Sequence, residues 1–91
     1  MNNELMVTQG PEDAGFNRRL YLFRRNAEWL TEHGAPFFER YAGQYIAVSE
    51  GEVFASHEVS DARRLASEKH PQDEPFVQYI PKDSYARIYA N

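Results

Sequence analysis

Residues 44–57 read Gln-Tyr-Ile-Ala-Val-Ser-Glu-Gly-Glu-Val-Phe-Ala-Ser-His. Two runs with a period of two flank Glu50-Gly51, the pattern of a β-hairpin with glycine at a positive-φ turn position. A two-residue loop sets Val48 opposite Val53 and Ile46 opposite Ala55. Those four side chains then share one sheet face. Tyr45, Ala47, Phe54 and Ser56 take the other. Both faces are partly apolar, so the spacing predicts helices on both sides of the hairpin.

Downstream, Ser60 is a candidate N-cap for a short helix over residues 61–69. Asp61 in its first turn and Lys69 in its last suit the helix dipole. Ala62, Leu65 and Ala66 form a face expected to lie on the sheet, and His70-Pro71 ends the helix. After a loop at residues 72–75, Phe76 to Ile80 alternates as a third strand limited by Pro81. The tail, residues 82–91, fits a short helix or a frayed strand equally well.

Upstream, residues 35–43 suggest one or two helical turns, with Pro36 early and Gly43 as a stop. Phe16, Leu20, Phe23, Ala27 and Leu30 repeat at helical spacing and predict a helix over residues 16–32 with that stripe inward. Leu22 and Trp29 make a second stripe, roughly 100° away at 100° per residue. Gly34 is expected as a left-handed cap. The Gly10-Pro11-Glu12-Asp13-Ala14-Gly15 cluster marks residues 1–15 as a flexible arm.

The order is α-α-β-β-α-β: an N-terminal amphipathic helix, a second short helical segment, a hairpin, a short helix and a third strand. This is an α+β chain with a small three-stranded mixed sheet in the order 2-1-3. Residues 16–81 form one domain between the arm and the tail.

The 91 residues suffice for one modest core. Six Tyr, six Phe and one Trp supply its bulk. There is no Cys, which removes disulfides, thiolate metal sites and thiol nucleophiles. A small domain without disulfides is expected in the cytoplasm. Met1 to Val7 carry neither a basic segment nor an apolar run, so no signal peptide is expected there. No stretch has the length of a membrane span. The net charge of −4 disfavours nucleic acid as a partner.

No catalytic, metal or cofactor residues are expected. His33, His57 and His70 lie outside chelating distance of one another in sequence. His33 and His70 sit beside helix ends, where imidazoles commonly bond carbonyls. The acidic clusters fall in turns or helix starts and read as solvated charge. Phosphate loops, nucleophile elbows and zinc-protease motifs are absent. The feature left is the first helix, where Arg18 and Arg25 flank the Leu22/Trp29 stripe. Arginine beside exposed tryptophan has the composition of a protein-binding hot spot. The alternative is that Phe37, Phe38 and Tyr41 fold back and cover Trp29 within the chain.

The run Tyr41-Ala42-Gly43-Gln44-Tyr45-Ile46-Ala47-Val48, the Glu50-Gly51 hairpin, Ser60 to Ala66 and Tyr79-Ile80-Pro81 resemble a family of short prokaryotic proteins known only as a domain of unknown function. The resemblance covers residues 41–81 and implies a prokaryotic origin without an assigned activity. At the level of fold the hairpin–helix–strand order is also similar to HicB-type antitoxin domains, although their first strand is missing here and a long helix is added. The expectation is a non-enzymatic interaction module that binds a protein partner, or itself, through Arg18, Leu22, Arg25 and Trp29. An antitoxin-type regulator binding a toxin or nucleic acid is the alternative. No small-molecule substrate is indicated.

Overall fold

A computed structural model describes residues 11–83. Six elements follow in order: α1 (Pro11–His33), α2 (Ala35–Arg40), β1 (Tyr45–Ser49), β2 (Glu52–Ser56), α3 (Val59–Lys69) and β3 (Phe76–Tyr79). The α+β order read from the sequence holds.

The hairpin has the expected register, with Val48 opposite Val53 and Ile46 opposite Ala55. Glu50 and Gly51 both have positive φ, 51° and 75°. Two successive residues of that kind make the turn whose twist matches the paired strands. The strand order is β2-β1-β3, as expected, but the sheet is antiparallel throughout and not mixed. β2 and β3 do run in the same direction. The central strand β1 separates them, so no parallel neighbours exist.

Both sheet faces are covered. On one, Leu30 of α1 closes over Ile46, Val48 and Ile80, with Trp29, Phe38, Tyr41, Val53, Ala55 and Phe76 around them. On the other, Ala62 and Ala66 of α3 lie on Ala47, with Tyr45, Phe54 and Val77 at the margins. Burial on two faces explains why Ile46, Ala47 and Val48 form an unbroken apolar run.

Several local expectations are corrected. The helix α1 begins at Pro11, so residues 11–15 of the expected arm are helical. Proline is at home in a first helical turn. Residues 1–10 and the tail from 84 onward lie outside the described residues. Gly34 is not left-handed, with φ of −85°. It is needed for room: a Cβ there would sit 2.3 Å from the Leu30 carbonyl oxygen. Between the helices and the sheet, the left-handed glycine is Gly43, at φ 87°. Ser60 lies inside α3, whose N-cap is Glu58. Leu65 is 38% exposed, because the two alanines bring α3 close to the sheet and leave Leu65 at the rim.

Candidate interaction surface

The phase of α1 decides what the molecule presents outward. Its buried arc runs from Trp29 through Leu22 and Asn26 to Leu30. Asn26 lies in the middle of it, 1% exposed. A buried amide must find partners, and Asn26 finds three. Its Nδ2 donates to Asp73 Oδ2 (2.9 Å) and to the Glu74 carbonyl (2.8 Å). Its Oδ1 accepts the N–H of Glu50 at 3.1 Å. One side chain thus joins α1 to the hairpin turn and to the loop before β3. The bond to Glu50 also helps hold a non-glycine residue at positive φ, which costs strain.

Asp73 is the second hub. Ser49 Oγ donates to its Oδ2 at 2.6 Å, and Arg25 reaches its Oδ1 at 3.4 Å. The Asp73 carboxyl is fully shielded from solvent, whereas Arg25 is half exposed. Burial pushes this carboxyl up, but the hydrogen bonds from Ser49, Asn26 and the Glu74 backbone, together with the Arg25 charge, outweigh it. The group titrates below its ordinary range. Through Ser49, Asn26 and Arg25 this cluster ties β1 and α1 to the loop before β3.

The histidines lie apart. His33 Nδ1 donates to the Trp29 carbonyl at 3.0 Å, as its helix-end position suggested, and its ring stacks on Trp29. The His70 ring bonds Glu52 Oε1 at 2.5 Å, where Lys69 also reaches Oε2. The hydrogen bonds from His70 and Lys69 hold Glu52 below its usual range. His57 is exposed. No group of three His, Asp or Glu among the described residues is placed to hold a metal ion.

The four residues expected to form the partner surface divide. Arg18 and Arg25 are exposed. Leu22, 8% exposed, is buried. Trp29 is half-buried on the core, in aromatic contact with Phe37. Of Phe37, Phe38 and Tyr41, the residues expected to cover Trp29 if the chain folds back, Phe37 is the one shown in ring contact with it. The stripe expected to face inward turns partly outward instead: Phe16 is 55% exposed and Phe23 37%. Asn26 explains the shift, since it belongs to the buried arc and brings Leu22 and Trp29 in with it.

The outward stripe runs along the β3 side of α1. Phe16, Arg19, Leu20 and Phe23 line a hollow together with Glu74. Farther along, Ala27, Leu30, Thr31, Phe38, Phe76 and Gln78 line a second, of about 380 Å³, between α1, α2 and β3. The Phe23 ring, which lines the first hollow, meets Phe76, which lines the second, at 5.1 Å. The result is an apolar groove beside β3, one of the two outer strands of the sheet.

The model of a family of unknown function, DUF5678, matches residues 37–83, just over half of the chain. The chain belongs to DUF5678. No curated protein and no solved structure is significantly similar to it. The DUF5678 match begins inside α2 and takes in the hairpin, α3 and β3, while α1 lies wholly before it. One wall of the groove, with Phe38, Phe76 and Gln78, therefore comes from the DUF5678 segment. The other, with Phe16, Leu20, Phe23 and Ala27, comes from α1.

A sequence signal for this surface exists. The stripe is the longer apolar repeat on α1: its Leu30 end faces the core as expected, and its Phe16 and Phe23 turn outward. Arg18, Arg19, Arg24 and Arg25 are all exposed but spread around the helix, and Arg25 is engaged by Asp73. They form no continuous basic track of the kind that follows a nucleic-acid backbone. No helix among the described residues is long and apolar enough to cross a membrane.

Proposed function

We infer that this DUF5678 protein is a non-enzymatic interaction module whose contact surface is the Phe16/Leu20/Phe23 stripe of α1 and the groove it continues into. The observation that carries this reading is the exposure of two phenylalanines in one helical row beside an apolar hollow. Scattered apolar residues are ordinary on a surface, but a contiguous set flanked by charge marks a contact site. Arg19 and Glu74 provide that charged rim. Aromatic anchors inside a polar rim are the usual composition of a hot spot.

Affinity capture on the full-length chain tests the reading, comparing the unaltered protein with Phe16→Glu. Phe16 is exposed, so the substitution leaves the core in place. Proteins, or further copies of the chain, retained by the unaltered chain and lost with Phe16→Glu are the expected result. An identical set from both would refute this surface.

A further inference from the structure

We propose that α1 is an exchangeable arm hinged at Gly34. The bend there keeps α1 on its own sheet, and with the bend opened α1 docks on the same sheet face of a second copy. The Phe16 stripe plays no part in this exchange.

The link between the helices supplies the first argument. Gly34 is the one residue between α1 and α2. Its φ and ψ, −85° and −17°, already lie in the right-handed helical region. Two side-chain identities keep the helices from running on as one. Gly34 turns in so closely that a Cβ there would sit 2.3 Å from the Leu30 carbonyl oxygen and 2.8 Å from Leu30 Cδ1. The bend therefore has no room for any other residue. Pro36, in the first turn of α2, has no N–H for the Glu32 carbonyl that an unbroken helix would bond, and its ring turns Ala35 away from helical backbone.

The contacts of α1 supply the second. Its anchors reach residues far along the chain. Asn26 bonds Glu50, Asp73 and Glu74, Leu30 packs on Ile46, Val48 and Ile80, and Phe23 meets Phe76. None of these depends on which copy supplies the helix. The Trp29–Phe37 ring contact spans the bend, and it is remade when α1 of one copy lies beside α2 of the other. An exchanged pair thus holds the same contacts as two closed monomers, so the hinge and the cost of association set the balance between them. Exchange of an identical element is a low-cost route to a dimer, and the hinge controls it. The sheet face also selects its occupant, because it takes an apolar helix with an amide at the centre, and α1 of a second copy brings that amide. α1 stands wholly before the DUF5678 match, so this face of the matched segment is filled by a helix from outside it.

Sedimentation velocity and cross-linking on the full chain test this together. Gly34→Ala/Pro36→Ala adds a Cβ that the bend cannot hold and restores the N–H that a continuous helix needs. This hinge variant is expected to sediment as a folded dimer at concentrations where the unaltered chain is a monomer. Thr31→Cys and Gln78→Cys, at positions that line one hollow across α1 and β3, can be joined by a short bis-maleimide, since the chain has no other cysteine. On a denaturing gel the pair should close within one chain when the hinge is unaltered and between two chains in the hinge variant. A folded hinge variant that stays monomeric overturns the proposal, as does a dimer whose cross-links remain within one chain. Cross-links between chains with the hinge unaltered would overturn the role given to the bend. If the hinge variant does not fold, Pro36→Ala alone decides, because Pro36 is exposed and its replacement leaves the core in place. It should raise the dimer fraction above that of the unaltered chain, with cross-links between chains, and an unchanged fraction overturns the proposal.

Discussion

The two long helices cover opposite faces of one sheet by different means. α3 approaches through Ala62 and Ala66, both fully buried against Ala47. Its one polar contact with the sheet shown among the described residues, Lys69 to Glu52, lies at its exposed C-terminal end, and at its centre the small side chains set its phase. α1 comes in on Leu22, Trp29 and Leu30, with Asn26 among them holding the hairpin turn and the β3 loop. Its orientation depends on three hydrogen bonds as well as on apolar area. A helix of the first kind can be oriented from its apolar residues. A helix of the second kind cannot, because the residue that orients it reads as polar and is assigned to solvent.

The largest effect expected from this contrast is at Asn26. Asn26→Ala removes all three hydrogen bonds and leaves the Glu50 N–H and the Asp73 carboxylate short of partners. The cost should be about 3 kcal/mol or more, since each orphaned buried group costs about 1–3 kcal/mol. Denaturant melts would show it. A loss under about 1 kcal/mol would mean that apolar contacts alone hold α1.

On the α3 side the corresponding test is steric. Ala66→Leu pushes the helix off Ala47 and should cost about 1–3 kcal/mol through overpacking. Leu65→Ala, one residue away at the exposed rim, should cost less than about 1 kcal/mol. Equal losses would contradict the close approach of α3.

The turn joins the two regions. Gly51→Val forces a β-branched residue to a φ of 75° and should cost about 1–2 kcal/mol. An unchanged melting midpoint would remove the turn geometry.

The smallest expected effect is electrostatic. Asp73 titrates below its ordinary value in the folded protein. Its ionised form therefore contributes stability in full above the unfolded-state carboxylate pKa. That contribution is lost as pH falls through the lower, folded value. Thermal melts on the acid side should decline less steeply for Asp73→Asn than for the unaltered protein. Parallel curves would show that this carboxylate is not held by the Asn26 junction. Glu52 carries a shift of the same sign and should persist in both.

The sequence made the sheet legible because its signals are local. Alternation around Glu50-Gly51 sets the hairpin register, and the faces assigned to Val48/Val53 and Ala47/Phe54 are those observed. The antiparallel arrangement of β3 was also within reach, since a crossover from β2 over β1 requires it. The candidate surface was legible only as a repeat. Phe16, Leu20 and Phe23 stand out, but which side they face depends on Asn26 meeting Asp73, 47 residues away. No local pattern encodes that contact. Gly34 is similar: its glycine is required by the Leu30 carbonyl one turn earlier, not by its own φ.

The phase of α1 underlies both the core and the proposed contact surface, and site-directed thiol labelling measures it directly. The chain has no cysteine of its own, so single substitutions report without background. Cysteine placed in turn at Phe16, Leu22, Phe23 and Trp29 should label in dilute monomer in the order of exposure. Phe16→Cys should react fastest, Phe23→Cys next, Trp29→Cys slowly and Leu22→Cys only as the protein unfolds. Rapid labelling of Leu22→Cys in a folded chain, with Phe16→Cys protected, would contradict the account and return the Leu22/Trp29 stripe to the surface.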